Sequence, residues 1–336
     1  MHLHLLIPGL LELPAASLRL PALSLMLGRG RLTWGPGISF EPWLARRFGL
    51  DAESAPYAAL RRLGENGSDS CEGNWFCADP VQLKFTSQGL MLADASTLDL
   101  SMEEAQALVA SLNQEFPDLG QFHAASPGRW YLRLAQPSEV STHRLTEVVG
   151  RRVDGFLPEG RDGPLWCRHF NEIQVLLHGH PVNQAREEEG HPVVNSVWFW
   201  GNGTLPGSLE IPYAMLATDD PLARGLAHQA GIPFHSWSGQ LPASVEGSLL
   251  VLADTLARPA LYADEEAWRD ALVALEASHL ASSLAALKSG KVGSLTLTAP
   301  GDRASLEIHL TRSDLWKFWR EGLSLGKLNI PSYAAM

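Results

Sequence analysis

The chain has 336 residues, of which 45% are hydrophobic and 19% are charged, so it can bury one or two globular cores. Its formal net charge of -11 argues against a nucleic acid or an anionic membrane as the main partner, because such surfaces are bound through clustered Lys and Arg. Three cysteines at unrelated spacings favour a reducing compartment, and no apolar run approaches a membrane span. We therefore expect a soluble, cytoplasmic protein.

Short β-rich runs recur along the chain and alternate with helical patterns. This alternation favours an α/β fold, with a parallel or mixed sheet covered by helices on both faces. Pro300 and Gly301 separate the last two runs and predict a hairpin. The predicted strands cover residues 2–7, 130–134, 194–200, 249–253, 294–298 and 305–310.

The clearest helix begins at Ser101, whose side chain can cap the backbone while Glu104 reaches back to it. Pro117 ends this helix, and its apolar face repeats at helical spacing. That face consists of Ala105, Leu108, Val109, Leu112 and Phe116.

Three more helices follow from capping signals and apolar spacing. One starts after Asp264 and ends near Gly290, a usual left-handed C-terminal position. One covers 170–177 and ends before Pro181, and Asp219 and Asp220 precede a helical run over 222–230. The segment 66–135 reads as a compact α+β insertion into a core formed by 1–65 and 136–336.

Several short patterns suggest chemistry but have simpler structural explanations. The Gly pairs at 28–30, 35–37 and 201–203 complete no phosphate-loop motif and are expected to be turns. The histidine pairs at 2/4 and 178/180 lack a third ligand, so a metal role is not favoured. Most tryptophans are expected in the core, although Trp198 and Trp200 share one strand face and can line a pocket.

One long stretch, residues 143–206, resembles the archaeal-type cofactor-independent phosphoglycerate mutases. The shared features are an HPVN-like turn at 180–183, Arg186, and a strand with Asn195 followed by WFWGNG at 198–203. Further similar segments lie at 74–79, 101–113 and 219–231. The opening HLHLLIPGLL, the ADPV motif at 78–81, the NEIQ run and the final tryptophan-rich segment resemble the RpfE-type family of bacterial regulatory proteins.

The mutase resemblance implies an alkaline-phosphatase-like core in which Asp and His hold two divalent ions that activate a serine. Where the enzymes show Asp-Gly after the first strand, this chain has Pro8 and Gly9, and proline cannot bind a metal. Ser39 is the available serine near the nucleophile position, and Arg303 stands where a histidine is expected. The remaining metal candidates are Asp254, Asp302 and His309.

We therefore expect a catalytically degenerate relative that binds a small anionic metabolite or a protein partner, with no cofactor required. The candidate ligand contacts are Arg303, Arg186, Asn183 and Asn195. The alternative is an active phosphoglycerate mutase or phosphoesterase that uses Mn or Zn with Ser39 and the three metal candidates. A third interpretation is a purely structural or interaction protein.

Overall fold

The structure is a computed structural model that describes residues 1–15, 18–66, 72–87, 89–237, 239, 246–331 and 333. The chain forms two compact units. Unit 1 combines Met1–Glu53 with Ser208–Met336, and unit 2 is Ser54–Gly207. The predicted insertion, 66–135, lies inside unit 2, which extends beyond it at both ends.

Within the described residues the chain forms twelve strands and eleven α-helices. The strands are β1 His2–Leu6, β2 Arg31–Ile38, β3 Trp75–Thr86, β4 Gly89–Ala93, β5 Gly120–Ser126, β6 Arg129–Leu134, β7 Ser196–Gly203, β8 Met215–Ala217, β9 Phe234–His235, β10 Ser248–Leu252, β11 Ser294–Ala299 and β12 Gly301–Thr311. The helices are α1 Pro21–Arg29, α2 Phe40–Arg47, α3 Tyr57–Asn66, α4 Met102–Glu115, α5 Leu145–Val148, α6 Gly163–His178, α7 Pro181–Glu188, α8 Pro221–Gln229, α9 Ala257–Leu261, α10 Glu265–Leu275 and α11 Ala281–Ser289.

Unit 1 contains a seven-stranded sheet in the order β2-β12-β11-β1-β10-β8-β9. The pairs from β11 to β9 are parallel, and β12 pairs antiparallel with both β11 and β2. Because β2 follows two antiparallel pairings, it runs in the same direction as β1. The predicted fold class is confirmed: a mostly parallel α/β sheet is interrupted in sequence by an α+β unit.

The two faces of this sheet differ in chemistry. Leu3 and Leu5 of β1 belong to a core that includes α1, α10 and α11. On the other face, His4 meets the ring of Trp43 from α2 at 5.5 Å between ring centroids. Helices therefore cover both faces, as predicted, and the second face combines His4 and Thr298 with buried leucines such as Leu250.

Unit 2 is an antiparallel sheet with helices. Its path is β4-β3-β6-β5, and β7 also pairs with β3. The predicted capping box is confirmed, since Ser101 Oγ accepts from the Glu104 amide and the Glu104 carboxylate accepts from the Ser101 amide. Helix α4 packs its predicted apolar side chains into the core of this unit.

Most predicted elements are present, with three corrections. Helix α6 begins at Gly163, earlier than expected, and Pro181 starts a further helix, α7. The helix predicted from Asp264 to Gly290 contains a π-helical segment, Glu276–Leu280. The Gly pairs expected to be turns lie instead in regular elements: Gly28 in α1, Gly35 and Gly37 in β2, and Gly201 and Gly203 at the end of β7. Among the helices that the structure describes, none combines the length and apolarity needed to cross a membrane.

Candidate functional site

The ends of the parallel strands of unit 1 define one edge of its sheet, which we call the carboxyl edge. The segments following β1, β2, β8 and β10 lie there, and β12 begins there, because Gly301 pairs with Ile38. In open α/β sheets, ligands bind outside the carboxyl ends of the strands. The residues of interest at this edge are Pro8, Ser39, Asp219, Asp254, Asp302 and Arg303.

Gly9 allows the turn after β1 to lie close to the segment after β10. Its φ is +82°, and a Cβ atom there would lie 2.6 Å from the Leu256 carbonyl oxygen. A larger residue would therefore push these two connections apart. Pro8 is buried at the same turn and offers no metal-binding group.

Ser39 and Arg303 lie on neighbouring strand ends. The β2–β12 pairing is irregular between Gly301 and Ala304, and bulges of this kind redirect side chains. Gly37 accommodates the bulge, since a Cβ there would lie 2.0 Å from the Asp302 carbonyl oxygen. Arg303 is thereby exposed at the edge, without a hydrogen bond or ion pair to any residue that the structure describes.

The Ser39 hydroxyl lies at the amino end of α2 but does not cap it. Its side chain is half-buried, and its backbone is extended with φ of -77°. Glu41, in the first turn of α2, is buried and carries the charge that favours a helix amino terminus. The corner therefore offers an uncommitted hydroxyl and an uncommitted guanidinium, which are hydrogen-bond donors for an anion.

A second group at this edge is a pair of carboxylates. Asp254 follows β10 and Asp219 follows β8, the neighbouring strand. The pKa of Asp254 is raised, chiefly because its carboxylate is desolvated and also because the Asp219 charge is close. Asp219 accepts hydrogen bonds from Arg224 and from the Ser236 hydroxyl.

The predicted metal candidates do not form one site. Asp302 and Asp254 belong to β12 and the end of β10, separated by β11 and β1, which is about 14 Å at the usual strand spacing. His309 pairs with Arg31, at the opposite end of the sheet from Asp302, and its Nδ1 contacts the Thr296 hydroxyl at 3.1 Å. The single site that these three residues were expected to form is therefore absent.

A two-metal centre needs more ligands than these residues supply. Such a centre needs several Asp and His side chains converging on ions about 4 Å apart. Within the described residues, no group of three or more His, Cys, Asp or Glu side chains is arranged to hold a metal ion. Asp219 and Asp254 alone provide too few ligands, so the residues present do not fit a two-metal centre.

Two predicted ligand residues in unit 2 are engaged by the backbone. Asn183 donates to the carbonyl oxygens of Leu177 and Val194, both at 2.7 Å, and accepts from the Val194 amide. Asn195 forms a two-way bridge to the Leu83 backbone at 2.7 and 2.9 Å. Both amides tie connections to strands, which explains the HPVN-like and asparagine motifs without a ligand.

Arg186, the third such residue, is buried among acceptors. It donates to the carbonyl oxygens of Pro192 and Leu98 and forms an ion pair with Glu104 at 2.7 Å. These contacts occupy its guanidinium, so its placement favours a structural role over ligand binding. Trp198 is likewise buried, at 2% exposure, and its indole donates to the His143 carbonyl oxygen.

A buried ion pair in unit 2 was not anticipated. Arg61 forms two hydrogen bonds to Asp79, at 2.6 and 2.9 Å, and Asp79 also accepts from the Trp200 indole. Burial opposes the charge of Arg61, but Asp79 raises its pKa well above the ordinary value. Asp79 is the acid of the ADPV motif, so the motif was visible in the sequence while its partner, 18 residues away, was not.

Comparisons with known proteins agree with this fold. No protein-family model matches the sequence. The structure is similar to that of the PH0037 protein from Pyrococcus horikoshii, with a TM-score of 0.51 and 15% identity over 97% of this chain and 91% of that one. At this identity the likeness establishes the fold class alone.

Two sequence relatives of this chain share the same protein name. The chain is 28% identical over 262 residues to the 2,3-bisphosphoglycerate-independent phosphoglycerate mutase of Methanosarcina mazei, which is 71% of this chain and 64% of that protein. The protein of the same name from Methanosarcina acetivorans is 30% identical over 140 residues, 38% of this chain and 34% of that protein. This chain thus spans less than two thirds of these relatives. They support the mutase resemblance, whereas the RpfE-type resemblance stays a prediction.

Proposed function

We propose that this protein binds a phosphorylated small carboxylic acid of the phosphoglycerate class at its carboxyl edge, with Arg303 and Ser39 as ligand contacts. The observation that carries the proposal is the exposed, uncommitted guanidinium of Arg303 beside the strand end that leads to the Ser39 hydroxyl. Arginine binds phosphate through two parallel hydrogen bonds, and this contact needs no metal ion. The names of the relatives supply the ligand class.

The second candidate function is turnover of the same ligand as a phosphoglycerate mutase or phosphoesterase with Mn or Zn. The relatives' names favour this activity over a regulatory role. The donor set favours binding without two-metal chemistry, because Pro8 replaces a possible ligand and, among the described residues at this edge, only Asp219 and Asp254 come together. The two candidate functions involve the same ligand, but only the second requires a bound metal ion.

Isothermal titration of the purified protein with 3-phosphoglycerate in EDTA tests the binding proposal. We expect Arg303→Gln to weaken binding by about 10-fold to 100-fold, the range for losing hydrogen bonds to a charged group. Arg31→Gln is the matched control, because Arg31 is an exposed arginine at the opposite end of β2. Equal affinity of both variants and the parent protein for 3-phosphoglycerate would refute the site.

Metal content separates binding from turnover. The protein is equilibrated with excess Mn²⁺ and Zn²⁺, freed of unbound ion and assayed both for bound metal and for conversion of 3-phosphoglycerate to 2-phosphoglycerate. We expect less than one tightly held ion per chain and no conversion. About two ions per chain together with conversion would establish the enzyme instead.

A further inference from the structure

The strongest unexplained feature of unit 1 is an exposed aromatic surface formed by Trp316, Phe318 and Trp319. These side chains are 68%, 69% and 73% exposed. Phe318 packs edge-on against both tryptophans, with ring centroids 6.4 Å from Trp316 and 5.9 Å from Trp319. Phe85, which is also exposed, has no ring contact with any described residue. Contiguous exposed apolar patches mark interaction sites more often than isolated side chains do.

The backbone that carries the aromatic surface is held in place on both sides. Asp314 accepts hydrogen bonds from the Thr311 amide and hydroxyl and pairs with Lys317 at 2.5 Å. Arg29 of α1 donates to the Leu315 carbonyl oxygen. After the rings, the Leu323 amide donates to a carbonyl oxygen of α1. The three rings are thus presented on a fixed segment, which lowers the entropic cost of docking.

The polar groups at this surface are hydrogen-bond donors. The indole nitrogen of the buried Trp198 donates to the His143 carbonyl oxygen. By contrast, the indole nitrogens of Trp316 and Trp319 have no acceptor among the described residues, and neither does the guanidinium of the neighbouring Arg320. Indole and guanidinium groups donate but cannot accept. A complementary partner therefore presents acceptors, such as carboxylates, next to apolar side chains.

Local charge agrees with this requirement. Residues 312–327 contain four Lys or Arg and two Asp or Glu, a positive excess in a chain with a net charge of -11. Asp314 pairs with Lys317, one of the four cations, so the excess of positive charge remains. Aromatic residues and arginine are also the side chains most enriched at the centres of protein interfaces.

We propose that the aromatic surface docks an acidic, apolar segment of a partner protein. Two copies packed through the same patch would place cations against cations, so an isologous dimer is disfavoured. The net charge of -11 disfavours an anionic bilayer as the occupant. A protein segment lying within a Debye length of the patch, about 8 Å, meets chiefly the local positive charges.

The test measures binding of a short fluorescein-labelled peptide that alternates Asp or Glu with Leu and Phe. We expect the full chain to bind it, and the double variant Trp316→Ala, Trp319→Ala to bind at least about tenfold more weakly. Arg320→Glu is expected to weaken binding to a similar extent. The matched control is Phe85→Ala, which removes another exposed aromatic ring and should leave the affinity unchanged. Equal melting temperatures would show that the variants fold.

Four outcomes would overturn the proposal. The first is no affinity for the acidic peptide, and the second is equal affinity in all variants. The third is tighter binding of a matched peptide with Lys in place of the acids. The fourth is that the variants keep their affinity for the peptide but lose another interaction. A loss of self-association in sedimentation would identify a second copy as the occupant, and a loss of co-sedimentation with phosphatidylserine vesicles would identify a lipid surface.

Discussion

His4 is expected to make the protein lose stability as the solution becomes acidic. It is buried, at 3% exposure, and its two ring nitrogens contact the hydroxyls of Tyr213 and Thr298 at 2.9 and 2.8 Å. Its pKa is lowered from an ordinary value of 6.5 to about 3, chiefly by burial and in smaller part by the nearby charges of Arg47 and His2. The unfolded chain therefore binds a proton that the folded chain excludes.

The sign follows from proton linkage. Between the two pKa values the unfolded state binds more protons than the folded state. The contribution of a neutral His4 to the free energy of unfolding is therefore fully present above about pH 6.5 and decreases as the pH drops toward 3. At pH 5 the loss from this one residue is about 2 kcal/mol, a value set mainly by the unfolded pKa. The stability loss at pH 5 is thus insensitive to the exact pKa of His4 in the folded state.

Urea unfolding at about pH 7.5 and about pH 5 measures this loss. His4→Gln keeps a donor and an acceptor but cannot be protonated in this range, so its pH-dependent loss should be smaller than that of the parent by about 2 kcal/mol. His228→Gln, at an exposed position, is the matched control and should behave like the parent. The reasoning fails if His4→Gln loses as much stability on acidification as the parent protein does.

Two substitutions test the structural roles assigned in unit 2, both by urea unfolding. Arg61→Met should lower the free energy of unfolding by about 3–5 kcal/mol, because it leaves Asp79 buried without its cation. Adding Asp79→Leu should recover much of this stability. A loss below about 1 kcal/mol, or no recovery in the double variant, would contradict the assignment. Asn183→Leu should lower the free energy of unfolding by about 2–4 kcal/mol, since it removes three hydrogen bonds to buried backbone groups. The affinity of this variant for 3-phosphoglycerate should be unchanged. A selective loss of that affinity would restore Asn183 as a ligand contact.

Apolar runs and capping signals predicted the elements whose boundaries depend on local chemistry. Helix α4 begins where Ser101 and Glu104 cap each other, and α11 ends at Gly290 with φ of +83°. Strands β1, β10 and β11 were visible because buried parallel strands are nearly continuous apolar runs, whereas β2, β8 and β9 of the same sheet were not predicted. These features need no information about distant residues.

Elements that lack such signals were missed. Helix α1 has no polar N-cap, since Leu20 precedes it and its first amides are instead bound by Glu276, more than 250 residues away. The π-helical segment that begins at Glu276 is the place from which this carboxylate reaches α1. Pro36 lies in a strand because β2 is at the edge of the sheet, where a missing amide is tolerated.

Local patterns also cannot decide whether an aromatic run is buried. The WFW at 198–200 and the WKFW at 316–319 look alike in sequence. Trp198 and Trp200 are buried because β7 lies against β3, whereas Trp316 and Trp319 follow the last strand and point outward. Trp316 and Trp319 are thus exceptions to the expectation that most tryptophans lie in the core, and their role as a surface emerges only from the fold.

The arrangement of the carboxyl edge depends on strand direction more than on residue type. Asp302 and His309 both follow the hairpin at Pro300 and are seven positions apart on one extended strand, which carries His309 about 23 Å away from Asp302. The same hairpin, through the bulge at its start, brings Arg303 beside the end of β2 and hence near Ser39. The topology that breaks up the expected metal ligands is thus the one that creates the proposed anion contact, and this is why we favour a guanidinium over a metal pair as the phosphate-binding element.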